Sequence, residues 1–315
     1  MKLVVVIAAL MAVASCTEFP IEEKAFREWM MLKNKMYNTW EEYFTRMANF
    51  LDNFAHIRSM GGSVYDLNEF ADMSDSEFSA SRNGFRPELR TSPRNEIYLP
   101  EANADKVDWR GSGAVTPVKN QGSCGSCWAF SSTGALEAAF FFKGKTLDSF
   151  SEQQLVDCST SFGNQGCNGG LMDQAFKYLE SNSEEQESDY PYSGLDGKCA
   201  YASSKGVTKV STYNDVPQTA AQLKAALQNG PVAVAVKANL WWQLYFGGVS
   251  KACYAGTKAD ELNHGVLAVG YDDTASVPFW IIKNSWGESW GEQGYIRLAQ
   301  SNDCGITLSA SVPQV

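Results

Sequence analysis

Hydrophobic positions along the chain change period twice. Between residues 20 and 60, Phe26, Trp29 and Met30 recur at helical spacing, and Tyr43, Phe44, Met47, Phe50, Leu51, Phe54 and Ile57 form a second, longer stripe. Apolar side chains three and four apart share one helix face, so this stretch predicts two helices packed on each other. From 82 to 105 the period is lost in "RNGFRPELRTSPRNEIYLPEANAD". Such a run reads as an extended, protease-accessible connection, and a processing boundary is expected there. Helical spacing returns over Trp128 to Phe142 and at Leu171, Ala175, Phe176 and Leu179. Between them, Ser151 and Gln154 predict a capping box for a short helix reaching Cys158. Beyond Val207 the pattern becomes short β-rich runs: "VAVAV" at 232–236, "GVLAVGY" at 265–271, "FWIIK" at 279–283 and "GYIRL" at 294–298. A helical half followed by a sheet half predicts an α+β body with a seam between two lobes, where ligand sites often lie.

The opening "MKLVVVIAALMAVASC" puts one Lys ahead of an apolar run from Leu3 to Ala14 that small residues close. That is the layout of a secretory leader ending at Cys16, although Val13 to Cys16 also suits a lipid-attachment site. The run is shorter than the roughly 20 residues a spanning helix needs. Charge then narrows the partners. The net charge of -10, without a Lys/Arg run interleaved with aromatics, offers nothing to neutralise phosphates, so no nucleic-acid partner is expected. The acidic "SNSEEQESDY" at 181–190 reads as a solvated loop, and the Trp241–Trp242 pair as core or cleft wall.

Export makes the eight cysteines informative, because loss of Cys16 with the leader leaves an odd number. In an oxidising compartment, Cys124, Cys127, Cys158, Cys167, Cys199, Cys253 and Cys304 would then keep one free thiol beside up to three bridges, with fifteen pairings open. Cys124 and Cys127 in "QGSCGSCWAF" admit three readings. A zinc site lacks a second close Cys/His pair, and a redox dithiol lacks a preceding strand. A nucleophile fits Cys127, which falls where a Gly/Ser turn meets the helix beginning at Trp128, at the positive end of the helix dipole. A thiolate nucleophile needs a base and a group to orient it. The chain has two histidines, and His56 lies ahead of the linker, which leaves His264. Taken alone, His264 reads as a core histidine and Asn284 in "WIIKNSWGESWG" as a turn residue. Together with Cys127 they make a constellation.

"QGSCGSCWAF", "GCNGG", "NHGVLAVGY" and "NSWGESWG" resemble the papain-family cysteine proteases of the cathepsin L type, over nearly the full chain. The resemblance implies a papain-like two-lobed fold, a helical lobe and a β-barrel-like lobe with the cleft between, behind an N-terminal helical propeptide. It divides the chain into a signal peptide (1–16), an inhibitory propeptide (17–102) and a peptidase domain (103–315). It implies Cys127 as thiolate, His264 as its imidazolium partner, Asn284 as orienter, Trp286 as shield, and Gln121 with the Cys127 backbone as oxyanion hole. Gly169, Gly170, Leu171, Met172, Ala235, Leu262, Asn263 and Ser309 would line the substrate cleft, with an apolar preference two residues before the scissile bond. Implied bridges are Cys124–Cys167, Cys158–Cys199 and Cys253–Cys304. No metal or cofactor is implied.

The expected partners are protein or peptide substrates, the chain's own propeptide, and cystatin-like inhibitors, with the chain a monomer in a lysosomal, endosomal or extracellular setting. A body holding only His264 cannot build the histidine pair of carboxypeptidase-like relatives, so an endopeptidase is expected. Glu42, Arg46, Phe50, Asn53 and Ile57, then Asn68, Phe70 and Asp72, match the propeptide motifs, with Gly61 and Asp66 as departures. Acid is expected to weaken such a propeptide by protonating carboxylates paired in the closed chain. The rival readings are a catalytically silent binding protein on the same fold and, more distantly, a dithiol oxidoreductase.

Overall fold

A computed structural model of the chain describes residues 21–60, 62–251, 253 and 256–315, so the leader expected at 1–16 and the departure at Gly61 lie outside the described residues. Helices α1 (Ile21–Leu32) and α2 (Trp40–Met60) pack through Phe26, Trp29, Tyr43 and Phe50. Phe44 departs from its expected place on the stripe. It is 54% exposed, because Tyr43 beside it takes the inward position. Asn53 donates to the Ala71 and Met73 carbonyls at 2.8 and 2.9 Å, and Arg46 pairs with Glu77, which tie α2 to α3 (Asp75–Arg82).

The body is built on α4 (Cys127–Phe142), with α5 (Glu152–Cys158), α6 (Met172–Ser181), α7 (Ala220–Leu227) and α8 (Leu240–Gln243) around it. Strands β1 (Lys106–Asp108), β2 (Thr212–Asp215), β3 (Val232–Val236), β4 (Val249–Ser250), β5 (His264–Asp272), β6 (Phe279–Lys283), β7 (Tyr295–Ala299) and β8 (Ala310–Gln314) form one sheet. Its order is β2-β8-β3-β5-β6-β7-β4, with β1 on β5, and only β4 and β7 run parallel among the named pairs. Strand β5 reads as an unbroken apolar run because both its faces are covered. Val266 and Ala268 face one core, with Val234, Trp280 and Trp286. Leu267 and Val269 face the other, with Trp128, Ala233 and Ile281. These two cores are the two lobes.

Two local expectations are corrected and a third is sharpened. Ser151 caps α5 by accepting from Gln154 N at 3.0 Å, but the Gln154 amide turns away to Tyr178 and Ser183, so only half the capping box forms. The acidic 181–190 stretch is not a solvated loop. Glu184 and Glu185 are buried, accepting from Thr133 Oγ1 at 3.1 Å and Ala202 N at 2.7 Å, and burial pushes the Glu184 carboxyl well above its usual range. Finally, the 82–105 connection is extended but largely pinned. Arg94 donates to the Val216 carbonyl at 2.6 Å, Ile97 N to Asp215 O at 3.1 Å, and Leu99 is held through its N–H and carbonyl by Gln222. Backbone pairing to the body, invisible in a residue count, holds it. The tryptophan pair divides its roles: Trp242 is core, and Trp241 packs on Tyr65 of the N-terminal segment.

Candidate active site

Helix α4 starts on Cys127 itself, behind Ser126, whose hydroxyl is engaged with Tyr192 at 2.6 Å and makes no cap bond. The thiol therefore stands at a helix start whose N–H groups lack a side-chain cap, and Cys127 is buried and the free cysteine among the described residues. Two backbone N–H groups point at its sulfur, Gly265 at 3.3 Å and Gly84 at 3.2 Å. Gly265 is a glycine for a steric reason. Here α4 lies so close on β5 that a Cβ would stand 3.1 Å from the Cys127 carbonyl oxygen and from the Trp128 Cα.

That approach sets His264, the first residue of β5, beside the helix start. Its Nε2 lies 2.8 Å from Asn284 Oδ1, and the Ser285 N–H donates to the same oxygen at 2.8 Å. A backbone N–H only donates, so Oδ1 is the acceptor and the imidazole proton sits on Nε2. Nδ1 is left with its lone pair and has no hydrogen-bond partner. Trp286 stacks on the ring at 4.6 Å and 29°, and His264, Asn284 and Trp286 are all buried. Burial pushes the His264 pKa down to about 4 against the pull of Asn284, and pushes the Cys127 thiol up against its N–H donors. In this closed arrangement both groups are neutral at neutral pH.

Gln121 is held by Ser285, whose hydroxyl donates to Oε1 at 2.7 Å. Ser285 escaped the sequence reading; its place after Asn284 was the available signal. The Gln121 Nε2 donates to the carbonyl oxygens of Cys124 at 2.8 Å and Arg82 at 2.9 Å. Arg82 belongs to the N-terminal segment, which runs on through the cleft. Gly170 N donates to Gly84 O at 2.8 Å, Arg86 N to Gly170 O at 3.2 Å, and Phe85 N to Asn263 O at 2.9 Å, with the Phe85–Gly170 bridge parallel. Phe85 is buried in one cluster with Leu171, Met172, Ala235 and Leu262, and Ala235 N donates to the Ser309 carbonyl at 2.9 Å. The Asn263 side chain is spent on both backbone groups of Ala238. Gly169 turns with φ 118° and lies against Arg86. Disulfides join Cys124 to Cys167, Cys158 to Cys199 and Cys253 to Cys304. The first of these staples the Cys124 turn to the Gly-rich cleft wall.

The family description "Papain family cysteine protease" matches residues 103–314, and "Cathepsin propeptide inhibitor domain (I29)" matches 26–78. The chain is 42% identical to cathepsin L of Sarcophaga peregrina, over 98% of this chain and 99% of that one. It is 40% identical to procathepsin L of Rattus norvegicus, over 92% and 91%. Among solved structures, the digestive procathepsin L 3 of Tenebrio molitor larval midgut superposes with a TM-score of 0.81 at 39% identity, covering 94% of this chain and all of that one. With cleft, buried thiol and both domains accounted for, the chain belongs to the papain family of cysteine proteases, a cathepsin L-like cysteine endopeptidase carrying its own inhibitory propeptide.

Proposed function

We propose that Cys127 is the nucleophile of peptide-bond hydrolysis, that His264 is its acid and base, and that residues 17–102 are removed to expose them. With the propeptide gone, water reaches the pair, and the thiol proton moves to His264 Nδ1 to give thiolate and imidazolium. Cys127 Sγ then attacks the scissile carbonyl carbon, and the developing oxyanion takes hydrogen bonds from Gln121 Nε2 and the Cys127 N–H. His264 returns its proton to the leaving amine as the C–N bond breaks, leaving a thioester. Water, deprotonated by His264, cleaves the thioester, releases the acid and restores the thiol. Asn284 holds the imidazole and Trp286 keeps water from their hydrogen bond. The observation that carries this reading is the Nε2–H tautomer fixed by Asn284 and Ser285, which leaves Nδ1 as the proton acceptor.

Two residues before the scissile bond, substrates are expected to place Leu, Phe or Val among Leu171, Met172, Ala235, Leu262 and Ser309, where the propeptide places Phe85. The parallel bridge at Gly170 supports a propeptide that fills this pocket along a strand direction of its own. Cystatin-like inhibitors would meet the same emptied cleft of a monomeric enzyme in a lysosomal or extracellular setting. The test is hydrolysis of fluorogenic peptides after mild-acid incubation with reductant. Peptides with Leu or Phe at that position should outpace Arg by about tenfold or more, on roughly 1–3 kcal/mol of apolar burial. Arg preferred over Leu would sink the pocket assignment. In the same assay Gln121→Ala should lower kcat by about 10²–10³, the usual effect of removing one oxyanion donor. An unchanged kcat would remove Gln121 from the site.

A further inference from the structure

Past the Phe85 pocket the propeptide crosses two buried carboxylates. Asp173, on α6, is 5% exposed, and Asp215, at the end of β2, is 1% exposed. They share one hydroxyl: Ser311 Oγ lies 2.8 Å from Asp173 Oδ1 and 3.1 Å from Asp215 Oδ1. The cations facing them come from the propeptide. Arg90 Nη2 is 2.5 Å from Asp173 Oδ2, its Nη1 is 3.7 Å from Asp215 Oδ2, and Arg94 Nη2 stands 4.0 Å from Asp215 Oδ1. Asn95 N adds a 2.8 Å bond to Asp215 Oδ2. Of the other charged or titratable neighbours, Glu96 holds Arg94 Nε at 3.0 Å, Lys177 is turned to the Ser92 hydroxyl at 3.0 Å, and Tyr213 on β2 feels both aspartates and Glu180.

We propose that Asp173, Ser311 and Asp215 form a guanidinium-binding site on the peptidase domain, which latches the propeptide through Arg90 and Arg94 and is discharged by acid. This rests on the zymogen reading above and adds to it the site and the group that titrates. Removing residues 17–102 takes both arginines away. Asp173 and Asp215 then share one hydroxyl without a counter-ion, and the charge of Asp215 acts on Asp173 with no arginine to offset it. Even with the arginines in place, burial and then Asp215 hold the Asp173 carboxyl above its usual range. Closed, Asp173 is more acidic than it is open, because Arg90 and Arg94 favour its charged form. Closure therefore releases a proton, and the latch is full above the Asp173 pKa in the open enzyme. Below that it weakens by up to about tenfold per pH unit, until the pKa of the closed state is passed.

The experiment compares the full chain with Arg90→Gln/Arg94→Gln and with Arg90→Lys/Arg94→Lys, reading the initial rate of Cys127 alkylation by iodoacetamide at several pH values. The ratio to the parent at each pH cancels the thiol's own titration. The Gln pair should alkylate about tenfold faster or more at pH 7.5, falling toward equal rates at pH 4.5, with the Lys pair between. A ratio of one at every pH overturns the latch, and a raised ratio that does not fall with acid overturns its titration. Should the Gln pair fail to fold, synthetic peptides spanning 82–99, with Arg or Gln at both positions, are compared as inhibitors of the processed parent enzyme, with the same ratios expected. Because alkylation needs no turnover, a parent chain that opens but hydrolyses no peptide would count against the protease reading and leave the latch scored.

Discussion

Cys127→Ala is expected to give a folded chain that keeps its propeptide, forms the three disulfides and hydrolyses no peptide under conditions that activate the parent. The loss should be at least about 10⁴-fold, since removing the nucleophile of an interdependent set costs nearly everything the set supplies. The reason is local. Cys127 alone among the described cysteines is unbridged, and its sulfur is the atom on which the Gly265 and Gly84 N–H groups converge. Measured by kcat/KM and by mass after incubation at mild acid, residual hydrolysis above about a thousandth of the parent's would move the chemistry to another residue. Counting native thiols with a reagent separates the rival use of the CxxC. One accessible thiol after processing fits Cys127 beside a bridged Cys124, and two would fit a dithiol.

Much of this site was legible because its residues stand at changes of pattern. Cys127 lies where a Gly/Ser turn meets a helical stripe, His264 where a β-rich run begins, and Asn284 where one ends. Those boundaries are visible in one dimension because apolar period follows backbone geometry. What sequence could not give depends on which surfaces meet. Composition leaves fifteen pairings of six cysteines open, and the three bridges the fold makes are the ones that only the family resemblance implied. Ser285 and Gly265 act by aiming a hydroxyl and an N–H, and neither aim has a compositional trace. The misreadings share this cause. Glu184 looked solvated because a carboxylate usually is, yet a Thr133 hydroxyl and burial hold it inside. Arg90 and Arg94 drew no reading of their own from the sequence, because their partners, Asp173 and Asp215, are about a hundred residues away.

Gly84→Val should do the reverse of Cys127→Ala, producing a chain that is never fully latent. A Cβ at residue 84 would fall on the Gly125 carbonyl, a backbone group in the turn leading into α4. Gly125 N is bonded to Cys167 O at 3.0 Å and the Cys124–Cys167 bridge braces the same turn, so the wall cannot give way. The propeptide must move instead. Its shift draws Gly84 N off the Cys127 sulfur, Arg82 O off Gln121 Nε2, and Phe85 out of register with Gly170. Overpacking at roughly 1–3 kcal/mol, with about 1 kcal/mol for each hydrogen bond lost, amounts to a weakening of the closed state by about 10²-fold or more. The enzyme released by cleavage near residue 102 carries no substitution, so its kcat/KM after processing serves as the folding control. The measurement is the rate at which hydrolysis appears at pH 7.5, and latency equal to the parent's would mean the propeptide is not seated through Gly84. The pH profile separates this variant from the arginine pair. A steric shift has no proton to exchange, so Gly84→Val should speed opening by a similar factor at pH 7.5 and 4.5, whereas the excess from losing Arg90 and Arg94 should vanish in acid.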